Sequence, residues 1–246
     1  MPALRSGRLR AVIEVEGVYN LREMGGYGTS SGRTVRVGAL FRSGALDRLT
    51  SAGARELAAM GVRTVIDLRR PPEVLAHPDA IATNADFFEY QHAPFYEIGR
   101  GPDSFSSTEE MFRYRLDSCG KGIGRGLRLL AESGPGTLVH CTNGNHRAGL
   151  ITALALSVAG VPHEMVASDF ALSAKYLAPR NQELLEVMAE RGWDPIKMAW
   201  FLESRAETML ETLGHLDARY GGVGPYLAGI GVSDGVQDSI RAWLVG

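Results

Sequence analysis

Residues 136–160, GTLVHCTNGNHRAGLITALALSVAG, decide the fold. They open, after a Gly134-Pro135-Gly136 break, with an apolar run of the length of a buried strand. Past Arg147 the sequence stays apolar long enough for a helix, which Gly160 and Pro162 stop. Strand, tight loop and helix in that order form the unit from which parallel sheets are built. Cys141 then lies at the carboxyl end of the strand, the edge of an open α/β sheet where ligands bind.

The same alternation continues outward. AVIEV at 11–15, TVRVGALF at 34–41, VRTVIDL at 62–68 and residues 85–95 read as strands, and a helix runs from about Ser51 to Met60 with Gly61 at its C-cap. A further helix is predicted from about Ser107 to Leu130, weakened or bent by GKGIGRG at 120–126. That glycine run lacks the spacing of a nucleotide loop and follows a helix instead of a strand. Beyond Pro162, EMVASDFALSAKYL, NQELLEVMAE, ESRAETMLETLGHLDARY and SDGVQDSIRAWLV all read as helices. The predicted fold class is α/β, with a central, largely parallel sheet flanked by helices. One domain is expected over residues 1–246, with a helical C-terminal block at about 162–246.

Composition narrows the partners. A net charge of -2, with 45% apolar and 22% charged residues, gives no global field to hold nucleic acid or an anionic membrane. Anion affinity must therefore be local. The N-terminal MPALRSGRLRAVIEVEG lacks the apolar stretch of a signal peptide, and no later run has the length of a membrane span. Cys119 and Cys141 are the only cysteines, too few for a disulfide framework, so a reduced, cytoplasmic setting is expected.

Cys141 and Arg147 can share an anion only if the loop between them wraps its backbone around it. The loop leads into a helix N-terminus, where unpaired N–H groups and the positive end of the helix dipole favour an anion. Gly144 and Gly149 suit such a nest, one by its backbone freedom and one by letting the helix pack closely. The dipole and Arg147 together favour the thiolate form in which a cysteine attacks. Arg147 brings a planar fork that matches two oxygens of a phosphoryl group. The six histidines make no metal-binding spacing, so neither a metal nor a cofactor is expected.

These residues, His140-Cys141, five more and then Arg147, resemble the loop of the cysteine-dependent protein tyrosine phosphatases. Asn20-Leu21-Arg22, Gly25-Gly26-Tyr27, VRVGALFRSGALDRLT, VRTVIDLRRPPE, DFALS at 169–173 and YGGVGPYLAGIGVSD extend the likeness to the atypical bacterial branch of that superfamily. The resemblance implies a metal-independent phosphate monoester hydrolase, tyrosine or dual-specificity in type, working through a phosphocysteine. Cys141 would be the nucleophile and Arg147 the phosphoryl clamp, with Thr142, Asn143, Gly144, Asn145 and Ala148 around the phosphate.

Three positions depart from the branch pattern Gly-Lys-Asp-Arg-Thr-Gly. Asn145 removes a cation associated with additional phosphates. His146 replaces the aspartate that the branch uses as acid, a role an imidazolium could fill. Ala148 removes a hydroxyl that helps the thiolate depart. Asp67 is the second acid candidate, although Asp67 and Arg69 could equally form an ion pair at a strand end. Arg22 and Arg42 read as anchors, and His140 as a partner that orients the loop. The substrate is expected to be a phosphorylated protein or a small phosphorylated metabolite such as a nucleoside or sugar phosphate. A phosphate-binding protein without turnover is the remaining alternative.

Overall fold

The computed structural model describes residues 12–81, 86–95, 100–190, 192, 194 and 199–245. Five strands form one sheet: β1 (Arg22–Glu23), β2 (Leu40–Ser43), β3 (Thr64–Asp67), β4 (Glu89–His92) and β5 (Thr137–His140). Their order is β1-β2-β5-β3-β4, antiparallel between β1 and β2 and parallel elsewhere. β5 is the last strand in sequence and the middle one in space. Every residue of TLVH is buried, as expected of a strand covered on both faces.

Registers bring three strand ends level. Ser43 and Asp67 both pair with His140, so Gly44, Leu68 and Cys141 emerge side by side. The Leu68 N–H donates to the His140 carbonyl at 3.0 Å, holding this edge together one step beyond the strands.

The helices are α1 (Ser51–Ala59), α2 (Pro71–Ala76), α3 (Thr108–Ser118), α4 (Gly120–Ser133), α5 (His146–Val158), α6 (His163–Leu177), α7 (Asn181–Glu190), α8 (Ala206–Tyr220), α9 (Val223–Gly229) and α10 (Asp234–Val245). Local chemistry sets several of their starts. Thr50 caps α1 by accepting from the Gly53 N–H, and Ser107 caps α3 by accepting from the Glu110 N–H. Pro71 and Pro72 begin α2 where no N–H is required. α5 is buried on nearly all sides, from Ala148 to Val158, and runs through the main core beside Phe112, Phe170, Leu213 and Leu227. A second apolar cluster, with Leu46, Leu57, Val65 and Leu138, seats α1 against the other face of the sheet.

Several expectations change here. Within 12–15 of the AVIEV stretch, Val15 makes only an isolated bridge to Val18, and residue 11 lies outside the described residues. In TVRVGALF the strand begins only at Leu40, because Gly38, at φ +76°, turns the chain just before it. The glycine run 120–126 does not bend a helix; the break falls at Cys119, and the glycines lie within α4. They let α4 approach its neighbours: a Cβ on Gly124 would lie 2.6 Å from the Ile230 carbonyl oxygen, and one on Gly122 would lie 2.5 Å from the Phe95 side chain. Residues 203–205 precede α8 instead of belonging to it. The short elements β1, α2 and α9 carried too little periodicity to be read beforehand. No helix among the described residues is long and apolar enough to cross a membrane.

Candidate active site

The loop after β5 is shaped by where its carbonyls go. The Thr142 carbonyl accepts from the Ala45 N–H at 3.0 Å, and the Asn143 carbonyl from Asn20 Nδ2 at 2.9 Å. Arg42 takes the next two, Nε donating to the Gly144 carbonyl at 2.7 Å and Nη2 to that of Asn145 at 2.9 Å. Four successive carbonyls are thereby held on the outside of the turn, which leaves the amides to line its inside. Gly144 has φ +64°, and a Cβ there would stand 2.3 Å from the Ser43 carbonyl oxygen, so a side chain fits neither the backbone nor the space. Asn145 occupies the N-cap position of α5, yet its side chain makes no cap and Nδ2 reaches the Glu203 carbonyl at 3.4 Å. The first-turn N–H groups of α5 stay available to an anion.

A buried ionic cluster stands behind this mould. Asp169 on α6 accepts from Arg22 Nε at 3.0 Å, Arg42 Nη1 at 3.2 Å and the Tyr27 hydroxyl at 3.0 Å. Ser173, one turn further along α6, accepts from both arginines. Burial and the neighbouring Arg22 lower the pKa of Arg42 to about 9, against the pull of Asp169 and Cys141. Burial opposes ionisation of Asp169, but Arg22 and Arg42 outweigh it and keep the carboxylate charged. Arg22 and Arg42 are thus anchors of the loop from behind.

In front of the mould is a pocket to which the loop contributes Cys141, Thr142, Asn143, His146 and Arg147. Cys141 is 3% exposed and a free thiol. Arg147 is oriented by Glu73: Nη1 donates to Oε2 at 2.7 Å and Nη2 to Oε1 at 2.8 Å. The same guanidinium donates to the Leu68 carbonyl at 3.2 Å and to the Thr142 hydroxyl at 3.1 Å, while that hydroxyl donates to Glu73 Oε1 at 2.6 Å. Burial would raise the pKa of Glu73, but Arg147, followed by Thr142, holds it far below the usual carboxylate range. The rest of the pocket is lined by Arg70, Glu73 and Pro102, by Arg115 of α3, by Leu184, Val187 and Met188 of α7, and by Phe201.

The other sequence candidates sit differently. The Asn145 side chain points away from the pocket, and Ala148 is fully buried in α5, so these two can offer only backbone to a phosphate. His146 lines the pocket, in surroundings that disfavour the imidazolium an acid requires. Burial, then Arg115, Arg147 and Arg42, push its pKa well below the ordinary value. Asp67 lies behind the loop instead of in the pocket. Its carboxylate is completely buried and accepts from Arg69 through Nε, Nη2 and the backbone N–H, and from the Tyr90 hydroxyl at 2.9 Å. Burial would raise its pKa, but His140 and Arg69 prevail and keep it ionised. His140 is fully buried, with Nε2 3.2 Å from Asp79 and 3.7 Å from Asp67, contacts that are electrostatic more than directional. Burial works against its charge, yet the two carboxylates raise its pKa.

Asp67, Asp79 and His140 are close enough to hold a metal ion. Arg69 already occupies that ground, with Nη2 2.9 Å from Asp67 and 2.7 Å from Asp79. Glu73, Arg115 and Phe201 were missed by sequence reasoning. Glu73 was visible as the last residue of VRTVIDLRRPPE, but nothing in its spacing tied it to Arg147.

A thiol at the floor of an amide-lined turn, faced by an oriented guanidinium, can attack phosphorus and hold the oxygens it leaves behind; this is the chemistry of the cysteine-dependent phosphatases. The model of the tyrosine phosphatase family matches residues 13–246. The chain belongs to that family and is a cysteine-dependent phosphatase acting on phosphorylated substrates. A tyrosine-protein phosphatase of Nostoc commune is 32% identical over 80% of this chain and 70% of its own length. The triple specificity protein phosphatase PtpB of Mycobacterium tuberculosis is 26% identical over 96% of this chain and 100% of its own. A Cupriavidus necator protein, named provisionally as a tyrosine-protein phosphatase, is 29% identical over 92% of this chain and 86% of its own.

Proposed function

We propose that this chain hydrolyses phosphoprotein monoesters, with Cys141 as nucleophile and Arg147 as the clamp on the phosphoryl oxygens. The observation that carries the reading is the outward capture of the carbonyls of residues 142–145, which turns the loop amides toward the pocket shared by Cys141 and Arg147. Cys141 Sγ attacks phosphorus, the ester oxygen departs, and water then cleaves the phosphocysteine. Glu73 positions Arg147, and Asp67 serves as counter-ion to Arg69 and His140.

A phosphoprotein is favoured over a sugar or nucleoside phosphate by the apolar part of the pocket lining. Leu184, Val187, Met188 and Phe201 form an apolar side of the pocket that suits an aromatic ring. The triple specificity in the name of the Mycobacterium tuberculosis relative fits a protein substrate. A free nucleophilic thiol suits a reducing compartment, so we assign the protein to the cytoplasm, acting as one domain.

The test is turnover of p-nitrophenyl phosphate by the wild-type chain and by Cys141→Ser, with acid-quench trapping of a phosphocysteine. Turnover that survives in Cys141→Ser defeats the mechanism. Phosphotyrosine peptides and a panel of phosphorylated metabolites, assayed on one preparation, then decide the substrate.

A further inference from the structure

Three guanidinium groups line the pocket that holds Cys141, and they are not equivalent. Arg147 has a side chain 11% exposed and spends both terminal nitrogens on Glu73. Arg115 is 4% exposed and already engaged. Arg70 differs from both: its side chain is 32% exposed, which puts it where the pocket opens to solvent.

Glu73 fixes how far Arg70 stands from the phosphoryl clamp. Its Oε2 accepts from Arg147 Nη1 at 2.7 Å, from the Arg70 backbone N–H at 2.8 Å and from Arg70 Nε at 2.9 Å. A single carboxylate oxygen therefore lies between the two guanidinium groups, and it holds Arg70 by both backbone and side chain. Pro71 adds to this by keeping Arg70 extended, at φ -67° and ψ 151°.

This leaves most of the Arg70 fork unused. Among the described residues, neither Nη1 nor Nη2 of Arg70 has a hydrogen-bond partner. With Nε on Glu73, the outer end of the group offers two parallel N–H donors, the spacing that matches the two oxygens of a carboxylate. A free surface arginine would lose rotamer freedom on making that contact, whereas Arg70 has already given up part of it to Glu73. Cys141, 3% exposed, draws the reacting phosphate inward, so the residues flanking a phosphorylated side chain pass over the opening where Arg70 stands.

We propose that Arg70 is a specificity-determining residue that binds the carboxylate of an aspartate or glutamate flanking the phosphorylated residue of a protein substrate. The inference rests on the phosphoprotein reading above and adds the sequence context in which that substrate is taken. The contact is partly exposed, so salt screens it, with a Debye length of about 8 Å at physiological ionic strength. It lies away from the reacting atoms and is made equally in the bound substrate and the transition state. It therefore appears in KM and not in kcat.

The test uses phosphotyrosine peptides of one length, with Ala at the three positions on either side or with a single Asp replacing one of them. For the wild type, kcat/KM on the best Asp peptide should exceed that on the Ala peptide by about fivefold, through KM, and the gap should narrow in high salt. Arg70→Gln should bring the Asp peptide down to the level of the Ala peptide. Arg70→Lys, which keeps the charge without the fork, should retain part of the preference. Both variants remove the Nε contact with Glu73, so an effect passed on through Arg147 would lower both peptides and p-nitrophenyl phosphate in proportion and leave the ratio untouched. Equal turnover of the Asp and Ala peptides by the wild type at every position, or a full preference surviving in Arg70→Gln, would overturn the proposal. Failure of the underlying reading looks different: the wild type would turn over no phosphopeptide of either kind, or Cys141→Ser still would.

Discussion

Replacing Glu73 by Gln keeps the size of the side chain and removes the charge that Arg147 grips through contacts of 2.7 and 2.8 Å. Two unit charges at about 4 Å attract by about 4 kcal/mol at an effective dielectric of 20. Removing one partner of a buried pair costs about 3–5 kcal/mol. That is an upper bound here, because Arg147 and Glu73 are 11% and 13% exposed. In the proposed mechanism the phosphoryl group becomes the counter-ion of Arg147, so the loss is one of aim. One charge-assisted hydrogen bond, roughly 1.5–3 kcal/mol, corresponds to about a 10–150-fold fall in kcat. KM should stay level or fall, since the guanidinium no longer divides itself between carboxylate and substrate. Steady-state kinetics on p-nitrophenyl phosphate read both effects. Stability gives an independent check. The folded-state pKa of Glu73 is depressed, so its contribution is complete above the unfolded value of about 4.3 and is lost as pH falls below it. The Tm gap between wild type and Glu73→Gln should therefore be smaller at pH 3 than at pH 7. A kcat unchanged at pH 7, or a Tm gap as wide at pH 3, would refute the reasoning.

Other outcomes follow from the same contacts. Gly144→Ala forces a Cβ onto the Ser43 carbonyl at φ +64° and should lower stability by about 1–3 kcal/mol while abolishing detectable phosphate binding, measured by calorimetry. Asp169→Asn leaves Arg22 and Arg42 buried without a carboxylate and should lose about 3–5 kcal/mol in urea unfolding; a loss below 1 kcal/mol would mean that the cluster tolerates its net charge. His140 has a raised folded-state pKa, so its stabilisation is full below the unfolded value of about 6.5 and disappears as pH rises through the folded one. The stability deficit of His140→Gln should accordingly shrink in alkaline buffer, followed by chemical unfolding.

What the sequence disclosed depended on how local the cause was. TLVH, the loop and the apolar run of α5 could be read together because one short stretch contains a strand, a turn and a buried helix. Cys141 and Arg147 were legible for the same reason. The tie between Glu73 and Arg147 joins residues 74 positions apart, and the Arg42 contact with Gly144 spans 102; no periodicity encodes either. GKGIGRG misled because propensity treats glycine as a helix breaker, whereas Gly122 and Gly124 are required by the closeness of Phe95 and Ile230, which only the tertiary structure reveals. His146 was legible as a pocket residue, but its protonation was not, since that depends on Arg115 and Arg42 arriving from other elements.

The long reach of Asp169 has a consequence for biosynthesis. A nascent chain that has emerged only as far as α5 already contains Cys141, Arg147 and both anchoring arginines, yet lacks the acid that neutralises Arg22 and Arg42. Arg22 and Arg42 must then stay hydrated and the turn unset until α6 leaves the ribosome and docks. The backing that fixes the turn is thus complete only when the stretch through Ser173 has been made.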